Sequence, residues 1–192
     1  MFTSVELDEL FQALPRLETP RLLLEPVVMA HAEALFAVLS DAAVAQASNE
    51  AAHATLEATM AHVSHTLKQR DARTGISWAL VLQAEGSVVG QLSVHSISWA
   101  NRRGDLGFHL ASRCWRQGLM SEALGAVIEW CFGRLRFIKL CAQNTVDNAA
   151  CHHLLESLGF RAEALLWQHG YWNGKAHDLR QYGLLAPQRI AR

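Results

Sequence analysis

The chain has 192 residues, of which 51% are hydrophobic and 18% charged, with a net charge of −1 and a pI near 6.8. This fits one globular domain over 1–192 with a real core. A near-neutral balance without a basic run argues against nucleic acid or a membrane surface as partner, no apolar run is long enough to cross a bilayer, and MFTSVELDEL lacks a signal-peptide pattern. Cys114, Cys131, Cys141 and Cys151 have neither CxxC spacing nor the density of a disulfide scaffold, and read as reduced thiols of a cytoplasmic protein. The ten histidines include no HExxH-like spacing, and His152 and His153 point in different directions on a helix, so no metal is expected.

Residues 4–12 read as a short amphipathic helix, part of an N-terminal helical extension over 1–16. LETPRLLLEPV (17–27) reads as a strand with Leu22 and Leu24 on one face, and opens a core spanning 17–185. HAEALFAVLSD (31–41) has helical spacing, and the alanine-rich stretch 42–54 reads as a helical turn and loop. A helix over 55–70 would bury the stripe Leu56, Met60, Val63 and Leu67. ISWALVLQ (76–83) and VVGQLSVHSISW (88–99) are strands joined by the hairpin AEGS.

A short strand at 105–111 places Asp105, Gly107 and His109 on one face and Leu106, Phe108 and Leu110 on the other. A turn and long apolar helix follow over 114–135, then a buried strand at 137–143. A helix over 148–160 is led by Asn148 and closed by Gly159. The chain ends in two strands flanking the Asn173–Gly174 turn. The order implies a mixed α/β domain with one parallel strand pair in a mostly antiparallel sheet.

The turn that opens the 114–135 stretch carries the first chemical signal. Arg116, Gln117 and Gly118 run directly into the helix, whose first N–H groups have no partner within it. With the positive end of the helix dipole they form a seat for a phosphate, and Gly118 permits close approach.

In this order LETPRLLLEPV, GDLGFHLASRCWRQGLMSEAL, VDNAACHHLLESLGF and YWNGKAHDLRQYGLL make the chain resemble a GNAT-superfamily N-acetyltransferase of the RimJ/RimL type, which acetylates N-terminal amines of ribosomal proteins. The resemblance implies acetyl-CoA as co-substrate, held in a cleft where the 105–111 and 137–143 strands splay apart. The family's pyrophosphate motif falls on Trp115 to Met120, with only Gly118 matching strictly, and backbone N–H groups of Arg116, Gln117, Gly118, Leu119, Met120 and Ser121 would bind the phosphates. For Glu122 and Leu124 the reading is helix packing. The cofactor would also pair like an extra strand along His109, Leu110 and Ala111, with a backbone N–H near Leu110 holding the oxyanion.

In the same resemblance Asp105 activates the amine through water; its other reading is a solvated carboxylate at a strand end. His109 is an alternative base or substrate contact, or a plain polar residue. The family's Asn-x-x-Ser appears here as Asn148-Ala149-Ala150-Cys151. Cys151 then stands as the acid for the leaving thiolate, as packing, or as a transient acyl carrier, and the helix N-terminus would lower its pKa. The acceptor amine would meet the 42–55 loop, Ser93, His95 and the closing hairpin near Trp167, Tyr171 and Trp172. Those aromatics equally suit core packing or a homodimer contact. The function this implies is direct acetyl transfer to a protein or peptide N-terminus. The alternatives are transfer to a small amine or amino acid, and a CoA-binding regulatory module without turnover.

Overall fold

The computed structural model describes residues 3–48, 50–172 and 174–187. Helix α1 (Ser4–Gln12) starts from a capping box in which Thr3 and Glu6 exchange hydrogen bonds. The strand expected over 17–27 is two strands, β1 (Leu17–Glu18) and β2 (Leu22–Pro26), paired antiparallel as a tight hairpin. Pro20 cannot donate to a ladder, and Thr19 closes the turn by hydrogen bonding to Leu22 through backbone and hydroxyl.

Helices α2 (Ala32–Leu39), α3 (Ala42–Ser48) and α4 (Leu56–Asp71) follow. The α4 stripe is rotated from the one expected. Met60 is 42% exposed, whereas Thr59, Val63 and Thr66 face inward with Leu56 and Leu67 at the margin. The threonines are held inside because hydroxyls can bond locally; Thr59 Oγ1 lies 2.8 Å from His53 Nδ1.

The remaining strands are β3 (Ile76–Leu82), β4 (Ser87–Ser98), β5 (Arg103–Leu110), β6 (Lys139–Thr145), β7 (Arg161–Trp172) and β8 (Lys175–Leu185). Helix α5 (Leu119–Gly133) connects β5 to β6, and α6 (Ala149–Ser157) follows β6. Gly159 closes α6 at φ +89°, as its position predicted. Of the closing turn, Gly174 has φ +72° and Asn173 lies outside the described residues.

One eight-stranded sheet results, ordered β1-β2-β3-β4-β5-β6-β8-β7, in which every neighbouring pair is antiparallel except β5–β6. Alternation along the strands divides the apolar residues between its faces. On one face Trp78, Leu80, Leu92 and Leu106 pack against Leu124 and Val127 of α5. On the other, Ala79 meets Leu35 and Leu39 of α2 and Val63 of α4. Each fully enclosed leucine contributes roughly 1.5–3 kcal/mol relative to exposure, so two covered faces hold the sheet rigid around its single parallel seam.

That seam does not run to the strand ends. Pairing extends from Arg103↔Lys139 to Leu106↔Ala142 and stops, although β5 continues to Leu110 and β6 to Thr145. Beyond Leu106 the strands separate and leave a wedge between them.

Candidate active site

The wedge opens into a cavity of about 540 Å³. Its walls include Phe108 and Leu110 of β5, Trp115, Arg116 and Gly118 of the turn before α5, Cys151 of α6, and Ala47 of α3; Gln117 of the same turn is not among them. The turn is shaped for an anion. Arg116 takes a left-handed backbone at φ +57°, and Gly118, the N-cap of α5, sits at φ +76°. No side chain caps α5, and the first intrahelical bond runs from Glu122 N to Gly118 O. The N–H groups of Leu119, Met120 and Ser121 therefore have no carbonyl within the helix, and all three residues line the cavity. Successive N–H groups of this kind form a concave seat for a phosphate. The Arg116 side chain borders the same space, so the residues present fit a pyrophosphate.

The turn is braced from the neighbouring hairpin. Glu122 accepts from Thr19 Oγ1 at 2.6 Å and from Arg21 N and Nε at 2.8 and 2.7 Å. Arg21 Nη1 also donates to Gln117 O at 2.7 Å. Glu122 is thus a packing residue, as expected, and its packing anchors the loop.

The β5 backbone supplies the next wall. Ala111 N donates to Val89 O across to β4, so by antiparallel alternation the N–H and C=O of Leu110 turn the other way, into the wedge. The Leu110 carbonyl accepts from Trp115 Nε1 at 2.7 Å. Of the run His109 to Ala111, only Leu110 therefore directs its backbone at the gap.

At the far wall, Asn148 caps α6 through Oδ1, which accepts from Cys151 N at 3.0 Å, while its Nδ2 donates to Ala47 O at 2.7 Å. One side chain thereby starts α6 and ties it to the end of α3, across the cavity. The other end of α3 is tied to the loop after β5, because Asp41 accepts from Ser112 Oγ at 2.6 Å and from Ala43 N at 2.8 Å. Cys151 lies in the first turn of α6 and faces the cavity. Burial pushes its thiol up to about 11, partly offset by the Asn144 carboxamide. This corrects the expectation of a lowered pKa: loss of hydration outweighs the helix N-terminus.

Asp105 stands on the opposite sheet face, paired with His95 of β4 and Cys141 of β6 just before the seam opens. Burial lowers the His95 pKa, against the pull of Asp105. Ser93 shares this face, and its hydroxyl donates to Gly107 O at 3.1 Å. Further along, His109 Nε2 is 3.4 Å from Glu50 Oε2, and the His62 ring lies edge-on between those of His53 and His109. His62 Nε2 also meets Gln91 Oε1 at 3.1 Å. Burial lowers the pKa of both His53 and His62. The bond to His109 holds Glu50 below the usual carboxylate range.

Asp105, Ser93, His95 and His109 thus line one polar face. Tyr171 does not join them: it is exposed on β7, the sheet's outer strand, two strands from the seam. Trp167 is likewise exposed, and Trp172 stacks on His177 at 3.9 Å. Sequence reasoning held Glu50 and His53 only as part of the 42–55 loop and missed His62 and Gln91, whose scattered positions converge only in the fold; the density of histidines between 53 and 65 was the available signal. No cluster of three metal-ligating side chains occurs among the described residues, and none of their helices is long and apolar enough to cross a membrane.

A sheet split at its parallel pair, with an uncapped helix N-terminus at the split, suits a ligand that carries a phosphate. The acetyltransferase (GNAT) domain matches residues 21–161, and the chain belongs to that family. YoaA of Bacillus subtilis strain 168, described as an uncharacterized N-acetyltransferase, is 28% identical over 174 residues, covering 91% of this chain and 98% of that protein. The structure of RimL, the ribosomal L7/L12 alpha-N-protein acetyltransferase, in complex with coenzyme A has a TM-score of 0.81 at 24% identity, covering 89% of this chain and 98% of that one. There the coenzyme is disulfide-linked to a cysteine of the protein. A GNAT-family acetyltransferase from Bacillus anthracis gives 0.78 at 21% identity, covering 90% and 99%. The chain is an acetyltransferase.

Proposed function

We propose that the protein transfers the acetyl group of acetyl-CoA directly to the α-amine of a protein or peptide N-terminus, with residues 17–185 as the catalytic core. The observation that carries this reading is the joining, in one cavity, of the α5 anion seat, the inward-facing Leu110 backbone and the Cys151 thiol. The choice of acceptor is supported by the RimL likeness.

Bound acetyl-CoA supplies an activated thioester. The N–H groups of Leu119, Met120 and Ser121 hold its pyrophosphate, with Arg116 beside them, and Leu110 N–H faces the position of the carbonyl oxygen as negative charge develops. An α-amine has a pKa of about 8, so it arrives largely protonated at neutral pH. Asp105 takes that proton through water. The Cys151 thiol, neutral at pH 7, faces the departing sulfur from the first turn of α6 and returns a proton to it. The acceptor approaches over Ser93, His95 and His109, on the sheet face away from α5.

Thermal-shift titration with acetyl-CoA tests the cofactor seat; no stabilisation at millimolar ligand overturns the whole reading. Thiol release is then measured with N-terminal peptides and with small amines. Turnover confined to small amines overturns the peptide assignment, and binding without turnover on any amine leaves a regulatory module. Asp105→Asn is expected to lower kcat/KM at pH 7 by about 10²-fold or more, with the deficit shrinking at alkaline pH.

A further inference from the structure

His109 ends the polar face at the point where it meets the slot. It directly precedes Leu110, whose N–H is assigned to the developing oxyanion, and it lines the cavity. Its side chain is 12% exposed, and Nε2 lies 3.4 Å from Oε2 of Glu50. An ionised carboxylate only accepts, so the ring hydrogen belongs at Nε2 and Nδ1 keeps a free lone pair. Among the described residues, the sealed polar side-chain atoms without a partner are Asn144 Nδ2 and Oδ1 and His177 Nε2. His109 Nδ1 has no protein partner among those residues either, yet it is not sealed, and the space its ring borders is the cavity.

Two further rings fix the imidazole from behind. His62 of α4 stands edge-on to it at 6.4 Å, and His62 Nε2 is 3.1 Å from Oε1 of Gln91, the β4 residue paired with His109. His53 stands edge-on to His62 at 5.7 Å, with Nδ1 2.8 Å from the Thr59 hydroxyl. Gln91 and Thr59 are both buried, so this wall is rigid. Burial lowers the pKa of His53 and His62, which are therefore neutral at pH 7, and the ion-pair partner of His109 is Glu50. His95 and Asp105 lie further back along β4 and β5, while Arg116, Cys151 and His153 border the cavity from the anion turn and α6.

Acetyl transfer leaves such a group a task. An ammonium loses two protons on the way to an amide. The first leaves before attack and, in the reading above, passes through water to Asp105. The nitrogen then gives its lone pair to the acetyl carbon, becomes positively charged and must lose a second. Asp105 stands four residues before His109 on β5, roughly 13 Å along a strand, and so meets the acceptor ahead of the slot. We infer that His109 Nδ1 takes the second proton, and that Glu50 is its positioning residue, holding the ring by Nε2 and balancing the imidazolium. The inference rests on the reading of the chain as a direct amine acetyltransferase. As the carbon–sulfur bond breaks, the sulfur leaves with the electron pair and takes the Cys151 proton. Asp105 and His109 return their protons to water, from which Cys151 regains one, so one proton is released per turnover.

Thiol release by the full-length protein tests this from about pH 6 to 10. The substrates are acetyl-CoA and a peptide with a free α-amine or, where that is not turned over, a small primary amine. His109→Gln is expected to lower kcat by about 10²-fold, and to keep that deficit at alkaline pH, where the amine arrives neutral and the Asp105→Asn deficit closes. Glu50→Gln is expected to lower kcat about tenfold while stabilisation by acetyl-CoA stays within about twofold, and Glu50→Asp to recover part of the loss. Because Glu50 acts through the ring, the double variant should be no slower than His109→Gln alone. His109→Ala replaces the glutamine variant if that does not fold, and added imidazole should restore part of its rate. A His109 deficit that closes at alkaline pH, or losses that multiply in the double variant, overturns the proposal while leaving the acetyltransferase reading in place. A wild type that turns over neither substrate overturns both.

Discussion

Glu122 joins the stability of the fold to the grip on the cofactor, and replacing it with alanine tests both. Its carboxylate is 16% exposed and accepts three hydrogen bonds, from Thr19 Oγ1, Arg21 N and Arg21 Nε, at 2.6–2.8 Å. Bonds to a charged group are each worth about 1.5–3 kcal/mol. The Arg21 side chain is 46% exposed and regains water when the carboxylate goes, and bonds sharing one acceptor group are not additive. A net loss of about 3 kcal/mol follows. For a chain of this size each kcal/mol lowers Tm by about 2–4 °C, giving a drop of ~6–12 °C by calorimetry at pH 7.

Arg21 is also the group that reaches Gln117 O, so the same variant should need several-fold more acetyl-CoA for half-maximal stabilisation. Glu122→Gln, which keeps one acceptor oxygen, should fall between. The pH dependence has a definite sign. Burial works to raise the Glu122 pKa, but the bonds from Thr19 and Arg21 outweigh it and hold the group below 4.5. Its contribution is therefore complete above about pH 4.5 and is lost as pH falls further, so wild type and variant converge in acid. A Tm within about 2 °C of wild type at pH 7 would refute the reasoning, showing that apolar packing alone holds the hairpin against α5.

Gly118→Ala puts a Cβ at φ +76°, which costs about 1–2 kcal/mol; a modest fall in Tm with a larger loss of acetyl-CoA stabilisation is expected, and equal loss of both would argue against the anion seat. Asn148→Ala removes the α6 cap and the tie to Ala47, worth about 1 kcal/mol for the cap alone, and hydrogen exchange should quicken in both α6 and α3 rather than in α6 only. His53, His62 and His95 have pKa values lowered mainly by burial, so the unfolded chain binds their protons first. Stability should hold above about pH 6.5 and decline as pH falls below it; a Tm constant from pH 7.5 to 5.5 would contradict that burial. Cys151→Ser restores the hydroxyl of the family pattern and should keep kcat within a few-fold of wild type, whereas Cys151→Ala should lower it at least tenfold, as measured by thiol release.

The elements were legible where local chemistry and tertiary packing agree. Asn148 and Gly159 mark the ends of α6 in sequence because caps are local. The alternation of Leu106 and Leu110 with Asp105 and His109 likewise survives into the sheet. The 17–27 stretch failed because Thr19 and Pro20 make a turn whose second strand pairs with its own neighbour. The α4 stripe failed because threonine counts as polar in a periodicity yet is at home inside once its hydroxyl is bonded. Gly118 was readable as the start of α5 from the helix behind it. The parallel seam beside it was expected from the order of elements and its splaying from the resemblance, but the point where pairing stops, after Leu106 and Ala142, depends on registers no single segment contains.

The parting of β5 from β6 makes the sheet a partition with one slot in it. The groups assigned to the coenzyme lie on one side or at the slot's rim, and Ser93, His95 and Asp105 lie on the other, with His109 at the slot between them. Changes to α2, α4 or the 50–55 loop can therefore reshape what enters from the second side while leaving the first untouched. Selectivity for the acceptor can drift in such a chain without any cost to nucleotide affinity, and two relatives that hold the same coenzyme need share nothing in what they acetylate.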